Sequence, residues 1–235
     1  MREIDDRYPE YARPYEPLRG GRHHGRLTGN EGAAFQHRFL LYLSAYGILS
    51  SIYRFFRSVY SMKMIEPTAE YCQQIQAYRK EFLDCGDSMD GTGGLRRIED
   101  PAKWIELSCL YKNPDSVPEG LVPATQYMFV REEDNKIVGM LQIRHYLNDY
   151  LEKYGGHIGY SVVPSERRKG YASQMLKLAL PKCRELGMDK VLITCIDNNM
   201  GSRKTILANG GAYESTVYEP DEKVYLEKYW IRLSD

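Results

Sequence analysis

The sequence has no CxxC pair and no cysteine–histidine cluster; its five cysteines, Cys72, Cys85, Cys109, Cys183 and Cys195, are scattered and odd in number. A disulfide framework and a zinc site are therefore excluded, no metal is expected, and a reducing cytoplasm is the simplest setting. Excess charge of either sign is also missing, with 32 Lys+Arg against 32 Asp+Glu. Such a chain has no global field for holding nucleic acid, so no nucleic-acid partner is expected and any anion site must be local. Long apolar runs are lacking too. The uncharged stretch 39–53 is fifteen residues, against about 20 for a spanning helix, and it lies too far along the chain for a secretory signal. There is no GxxxxGK[ST] phosphate loop and no GxGxxG dinucleotide fingerprint.

Lysine is absent from residues 1–62, which hold nine arginines. The first 32 residues are rich in Gly, Arg, Pro and Tyr without helical or strand period, and read as loop or disorder. Residues 1–61 are thus expected to be an extension, partly disordered, with an apolar helix at about 38–60. That helix fits a packed or interfacial role better than a membrane anchor, so no membrane partner is expected. The missing lysines also fit translation from an in-frame upstream codon, with Met62 and Met64 opening the compact domain at 62–235.

Within 62–235 the pattern predicts helices over 67–85 and 101–111, a hairpin of strands 126–131 and 136–146, and a strand over 157–163. It then predicts a helix over 170–186, a strand over 190–196, a short helix over 201–208 and two closing strands, 212–218 and 223–233. A hairpin followed by strand–helix–strand–helix–strand implies a mixed sheet with helices on its faces.

The chemistry concentrates in Val163-Pro164-Ser165-Glu166-Arg167-Arg168-Lys169-Gly170-Tyr171-Ala172, between a strand and the strongest helix. Three consecutive cations at a helix N-terminus oppose its dipole, which makes sense where a polyanion sits in the turn. Gly170 and Ala172 remove bulk where the backbone must approach that anion. Residues 136–211 resemble the GNAT superfamily of N-acetyltransferases, in particular a subgroup of bacterial acetyltransferases. The signature is Arg167-x-x-Gly170-x-Ala172, supported by Asp197-Asn198-Asn199-Met200-Gly201-Ser202, His157-Ile158-Gly159-Tyr160 and Asn209-Gly210-Gly211.

The resemblance implies an α+β fold with a mixed, mostly antiparallel central sheet and helices on both faces. It implies transfer of an acetyl group from acetyl-CoA to a primary amine of a small molecule or peptide, by direct attack and without an acetyl-enzyme. The alternative it leaves open is a catalytically silent acetyl-CoA-binding regulatory module. Family members often form homodimers, so a second copy is one partner the resemblance allows. It further implies that strands 157–163 and 190–196 splay into a V-shaped slot. Backbone groups of Ser161, Val162 and Val163 would line the pantetheine, and those of Arg168, Lys169, Gly170, Tyr171 and Ala172 would hold the pyrophosphate. Arg167, Arg168 or Lys169 would meet the phosphates, with Asn199 and Ser202 near the thiol.

Many family members carry a tyrosine as the thiol's acid where this chain has Ile206, so Ile206→Tyr is expected to leave turnover intact or raise it. Ser202, a tyrosine such as Tyr213, or water remain as acids; His157, His145, Glu166 and Asp197 are the base candidates, and His157 and Ser202 are the catalytic assignments. Arg144 and His145, ending a strand on the way to the slot, are the substrate-binding candidates, suited to a polar or carboxylate-bearing acceptor.

Overall fold

The computed structural model describes residues 62–233; the extension and its expected helix at 38–60 lie outside the described residues. The chain opens with β1 (Met62–Ile65), followed by helices α1 (Cys72–Asp84) and α2 (Pro101–Leu110). Ile75, Tyr78 and Phe82 recur at helical spacing and are the buried residues of α1. In α2, Pro101 takes the first-turn position where a missing N–H costs nothing, and the Asp100 carboxylate accepts from Ala102 N at 2.9 Å.

Strands β2 (Ala124–Arg131) and β3 (Lys136–Arg144) form the expected antiparallel hairpin, and β4 (Ile158–Val162) adds to the other edge of β3. Next come α3 (Tyr171–Glu185), β5 (Lys190–Ile196), α4 (Met200–Ala208) and the β6 (Ala212–Glu219)–β7 (Val224–Arg232) hairpin. Helix α3 runs through Pro181, which removes one backbone donor without ending the helix.

The α+β architecture has helices on both faces. Against one face of the first sheet, Ile75, Tyr78, Phe82, Leu95 and Trp104 pack with Met128, Val130 and Met140. Against the other, Met175, Leu176, Ala179 and Cys183 of α3 pack with Val138, Leu141, Ile143 and Ile158. The strands divide into two antiparallel sheets, β1–β2–β3–β4 and β5–β7–β6. They meet where Gly156 bridges Ile193, and β4 and β5 share no continuous ladder. Burial of both faces fixes the register of each half, whereas nothing in the β4–β5 pairing forces the two strands to stay together beyond that point. Among the described residues, no helix is long and apolar enough to cross a membrane.

Candidate active site

The gap between β4 and β5 is closed at one end by His157. Its N–H donates to Leu192 O at 2.7 Å, and its Nδ1 accepts from Leu192 N at 2.9 Å. The ring is therefore the neutral tautomer with the proton on Nε2. Burial, then the charges of Arg144 and Lys190, push its pKa from 6.5 down to about 4. Protonation would break the brace. A depressed histidine contributes stability that is whole above pH 6.5 and lost as pH falls toward 4. His157→Asn, which keeps an acceptor oxygen near the Nδ1 position, is expected to flatten this part of the pH dependence. Thermal melts of the two proteins at pH 7, 5.5 and 4 measure it; parallel pH curves would refute the brace.

Beyond His157 the strands separate. Arg144 N donates to His157 O and Val163 N to Val138 O, so residues 157, 159, 161 and 163 pair with β3. Ile158, Tyr160 and Val162 turn their N–H and C=O groups toward the gap, because hydrogen-bonding direction alternates along a strand. The expected trio Ser161, Val162 and Val163 therefore divides. Val163 N–H is engaged at 3.0 Å. Ser161 O accepts from Tyr78 Oη at 3.0 Å, while its hydroxyl donates to Asp90 O at 2.6 Å. Val162 O accepts from Arg167 Nε at 3.1 Å, and Val162 N–H faces the gap.

At the open end, Arg168 and Gly170 both take left-handed backbone conformations, φ 63° and 80°. The first helical bond to Gly170 O comes from Gln174 N, so the N–H groups of the turn and first helical residues converge without intrahelical partners, the makings of an anion nest. A Cβ on Gly170 would meet nothing within 4 Å; the glycine answers to backbone conformation and to open space in front of it.

The three cations of the turn are not equivalent. Arg167 pairs with Asp87 at 2.5 Å and lies over the Phe82 ring, its guanidinium carbon 5.6 Å from the centroid. Lys169 pairs with Glu166 at 2.7 Å. Arg168, exposed, is the member of the trio without a side-chain partner among the described residues. Tyr171 is buried, its hydroxyl accepting from Arg131 Nη1 at 3.0 Å, so it offers the turn only its backbone; Ala172 packs partly against the core.

Glu166 is the anchor beneath the turn. Its side chain, 6% exposed, also accepts from Arg131 at 2.8 Å and Lys136 at 2.7 Å. Burial alone would raise this carboxyl, but the hydrogen bonds from Lys136, Lys169 and Arg131 override it and hold its pKa at about 2. A carboxylate so held is a structural anion, not a base.

On the β5 side, Asn199 Oδ1 caps α4 by accepting from Ser202 N at 3.0 Å. Ser202 Oγ lies 2.9 Å from Tyr160 Oη, so the hydroxyl pair bridges the gap between β4 and α4. Burial, ahead of its hydrogen bonds, pushes the Tyr160 phenol up to about 12, which keeps it protonated at neutral pH. Tyr160 was not singled out from the sequence; its position two residues before Val162, on a strand that lines the slot with every second residue, is the signal that could have found it. Ile206 is fully buried, and a Cβ on Gly211 would overlap it. A tyrosine there would have to displace core packing, which corrects the expectation of intact turnover for that substitution. Tyr213, by contrast, is exposed and bonded to Thr216.

Arg144 and His145 diverge. Arg144 Nη1 donates to Gly155 O at 3.1 Å and Gly156 O at 2.8 Å. His145 Nε2 lies 2.8 Å from Thr125 Oγ1, and burial, then Lys112, lower its pKa. The two share no partner.

Residues 99–210 match the family model described as Acetyltransferase (GNAT) family. The fold is similar to that of a ribosomal-protein-S5-alanine acetyltransferase from Vibrio fischeri, at 15% identity and a TM-score of 0.56 over 74% of this chain and 94% of that one. It is similar to the microcin C7 self-immunity acetyltransferase MccE, solved with acetyl-CoA and AMP, at 18% identity and a TM-score of 0.55 over 75% and 94%. It is likewise similar to an N-acetyltransferase from Staphylococcus aureus Mu50, at 18% identity and a TM-score of 0.52 over 74% and 99%. A search of curated protein sequences gave no match. Among the described residues no group of histidine, cysteine or acidic side chains could hold a metal. The glycine-opened turn and α3 lie within residues 99–210, the part of this chain that matches the acetyltransferase (GNAT) family.

Proposed function

We propose that the domain, placed at 62–235, moves an acetyl group from acetyl-CoA to a primary amine of a small molecule or peptide. The observation that carries this reading is the turn at 168–172, where unpartnered N–H groups gather before α3 at the mouth of an unzipped pair of strands. A diphosphate suits such a nest. The end of the pantetheine arm suits the edge that β4 presents at Val162, as an added strand. Arg168 is the cation free to meet phosphate; Arg167 and Lys169 shape the turn through Asp87 and Glu166.

Chemically, the amine nitrogen attacks the thioester carbon, the carbonyl oxygen gathers charge toward Val162 N–H, and the C–S bond breaks. Ser202, backed by Tyr160 at 2.9 Å, is the donor placed to protonate the departing thiolate. The His157 lone pair is held by Leu192 N and Glu166 is locked among cations, so neither serves as base. We assign His157 to bracing the sheets. The ammonium proton leaves through water to solvent, and the alkaline rise of the rate follows the amine's own pKa. The five cysteines are all free, in keeping with a cytoplasmic setting.

Because His157 and Glu166 are both engaged elsewhere, a silent coenzyme-binding module is the second reading. Purified protein separates them. Acetyl-CoA is expected to raise the melting temperature under both, whereas amine-dependent release of free CoA occurs only in an enzyme. No thermal shift at millimolar acetyl-CoA would overturn both.

A further inference from the structure

Arg144 ends β3 as a half-buried cation. No carboxylate among the described residues forms an ion pair with it, although it feels the charge of Asp90. Its Nη1 is engaged by Gly155 O and Gly156 O. Its Nη2 points along β4, 3.6 Å from where a Cβ on Gly159 would stand. Nε and Nη2 have no protein acceptor among the described residues. Among the described residues, the buried side-chain polar atom left without a partner is Gln126 Oε1, so those two donors of Arg144 are open to solvent. A half-buried guanidinium with a free planar edge is matched by a carboxylate, which takes two parallel N–H bonds.

The surroundings point the same way. Gly91, from the 85–94 loop, rests directly on Gly159, where a side chain on either would collide with the other's backbone. Gly159 thereby puts no side chain beside Arg144 Nη2. Gln126, 2% exposed, gives its amide N–H to Gly91 O, Leu141 O and Tyr127 O and leaves its own oxygen unanswered beneath the loop.

We infer that Arg144 holds a carboxylate of the acceptor, so that the substrate is an amine that also bears an acid group. This rests on the acetyl-transfer reading, which puts the reacting carbonyl at Val162. Gly159 lies three residues earlier on the strand, roughly 10 Å away. Allowing for contact at both ends, amine and carboxylate stand roughly 5–8 Å apart, by the same strand spacing. That span fits a dipeptide or an ω-amino acid and is too long for a free α-amino acid.

The test compares alanyl-alanine with its amide, 6-aminohexanoate with hexylamine, and alanine with alaninamide, by CoA release. The dipeptide and the ω-amino acid are expected to exceed their uncharged partners at least about tenfold in kcat/KM, with alanine poor. In Arg144→Gln that ratio is expected to fall to within about twofold of unity. Asp90→Asn, which removes the competing charge, is expected to raise it about twofold; this arm stands even if Arg144→Gln fails to fold. A second readout needs no turnover: calorimetry with CoA present, titrating N-acetyl-alanyl-alanine against its amide, should show acid-selective binding that Arg144→Gln abolishes. Acid-selective binding without CoA release would sink the transfer reading and keep this one. An acid preference absent from the wild type, surviving Arg144→Gln or unmoved by Asp90→Asn, or no acid binding at all, would overturn the role of Arg144.

Discussion

Gly170→Glu is expected to abolish acetyl-CoA binding, weakening it by about a thousandfold. A carboxylate projected from Gly170 enters the space that a Cβ there leaves empty, in front of the N–H groups that would grip the diphosphate. Like charges about 4 Å apart at a protein surface repel by about 4 kcal/mol, or roughly three decades in affinity. The fold should survive, because the position is open. Its left-handed φ of 80° adds about 1–2 kcal/mol of backbone strain for any side chain. Gly170→Ala carries that strain without the charge and separates the two effects. Calorimetry with acetyl-CoA decides: wild-type affinity in the glutamate variant would contradict the cradle, and equal losses in both variants would assign the effect to bulk or strain.

Glu166→Gln is expected to cost stability, about 2–3 kcal/mol. Removing one partner of a buried ion cluster usually costs about 3–5 kcal/mol. Here the loss is cushioned, because Arg131 keeps Asp134 at 2.6 Å and the side chains of Lys136 and Lys169 are 42% and 45% exposed. The pH dependence has a definite sign. The Glu166 pKa is held at about 2, below its ordinary 4.5, so its contribution is whole above pH 4.5 and vanishes as pH falls toward 2. The wild type should lose this increment on acidification and the glutamine variant should not. At neutral pH the variant should melt about 4–10 °C lower. Equal melting temperatures would show that the cluster is ornamental to the fold.

The turn before α3 is legible because its signals are local. Arg167-x-x-Gly170-x-Ala172 sits on one turn, and the apolar stripe Met175, Leu176, Ala179 and Cys183 marks the helix behind it. The hairpin of β2 and β3 was legible for the same reason, from alternation interrupted by a polar turn. What the sequence hid depends on partners distant along the chain. Arg167 and Lys169 read as phosphate ligands, yet Asp87 engages one, and Glu166 engages the other while also binding Arg131 and Lys136. Periodicity does not show which cation will find an acid. His157 read as a base from its intrinsic pKa; its lone pair is settled by Leu192, on a strand that only the tertiary fold brings near. Arg144 and His145 are neighbours in sequence and were grouped for that reason, but their side chains find different partners.

The two half-sheets leave the outer edge of β4 as a broken seam inside the molecule. An interior row of amides without an opposite strand is a place where water and foreign chains can enter. On the acetyl-transfer reading the coenzyme is the lath that closes it. The empty protein would then be the form most open to proteolysis and misassembly, and cellular acetyl-CoA would govern how long each molecule survives as well as how fast it works.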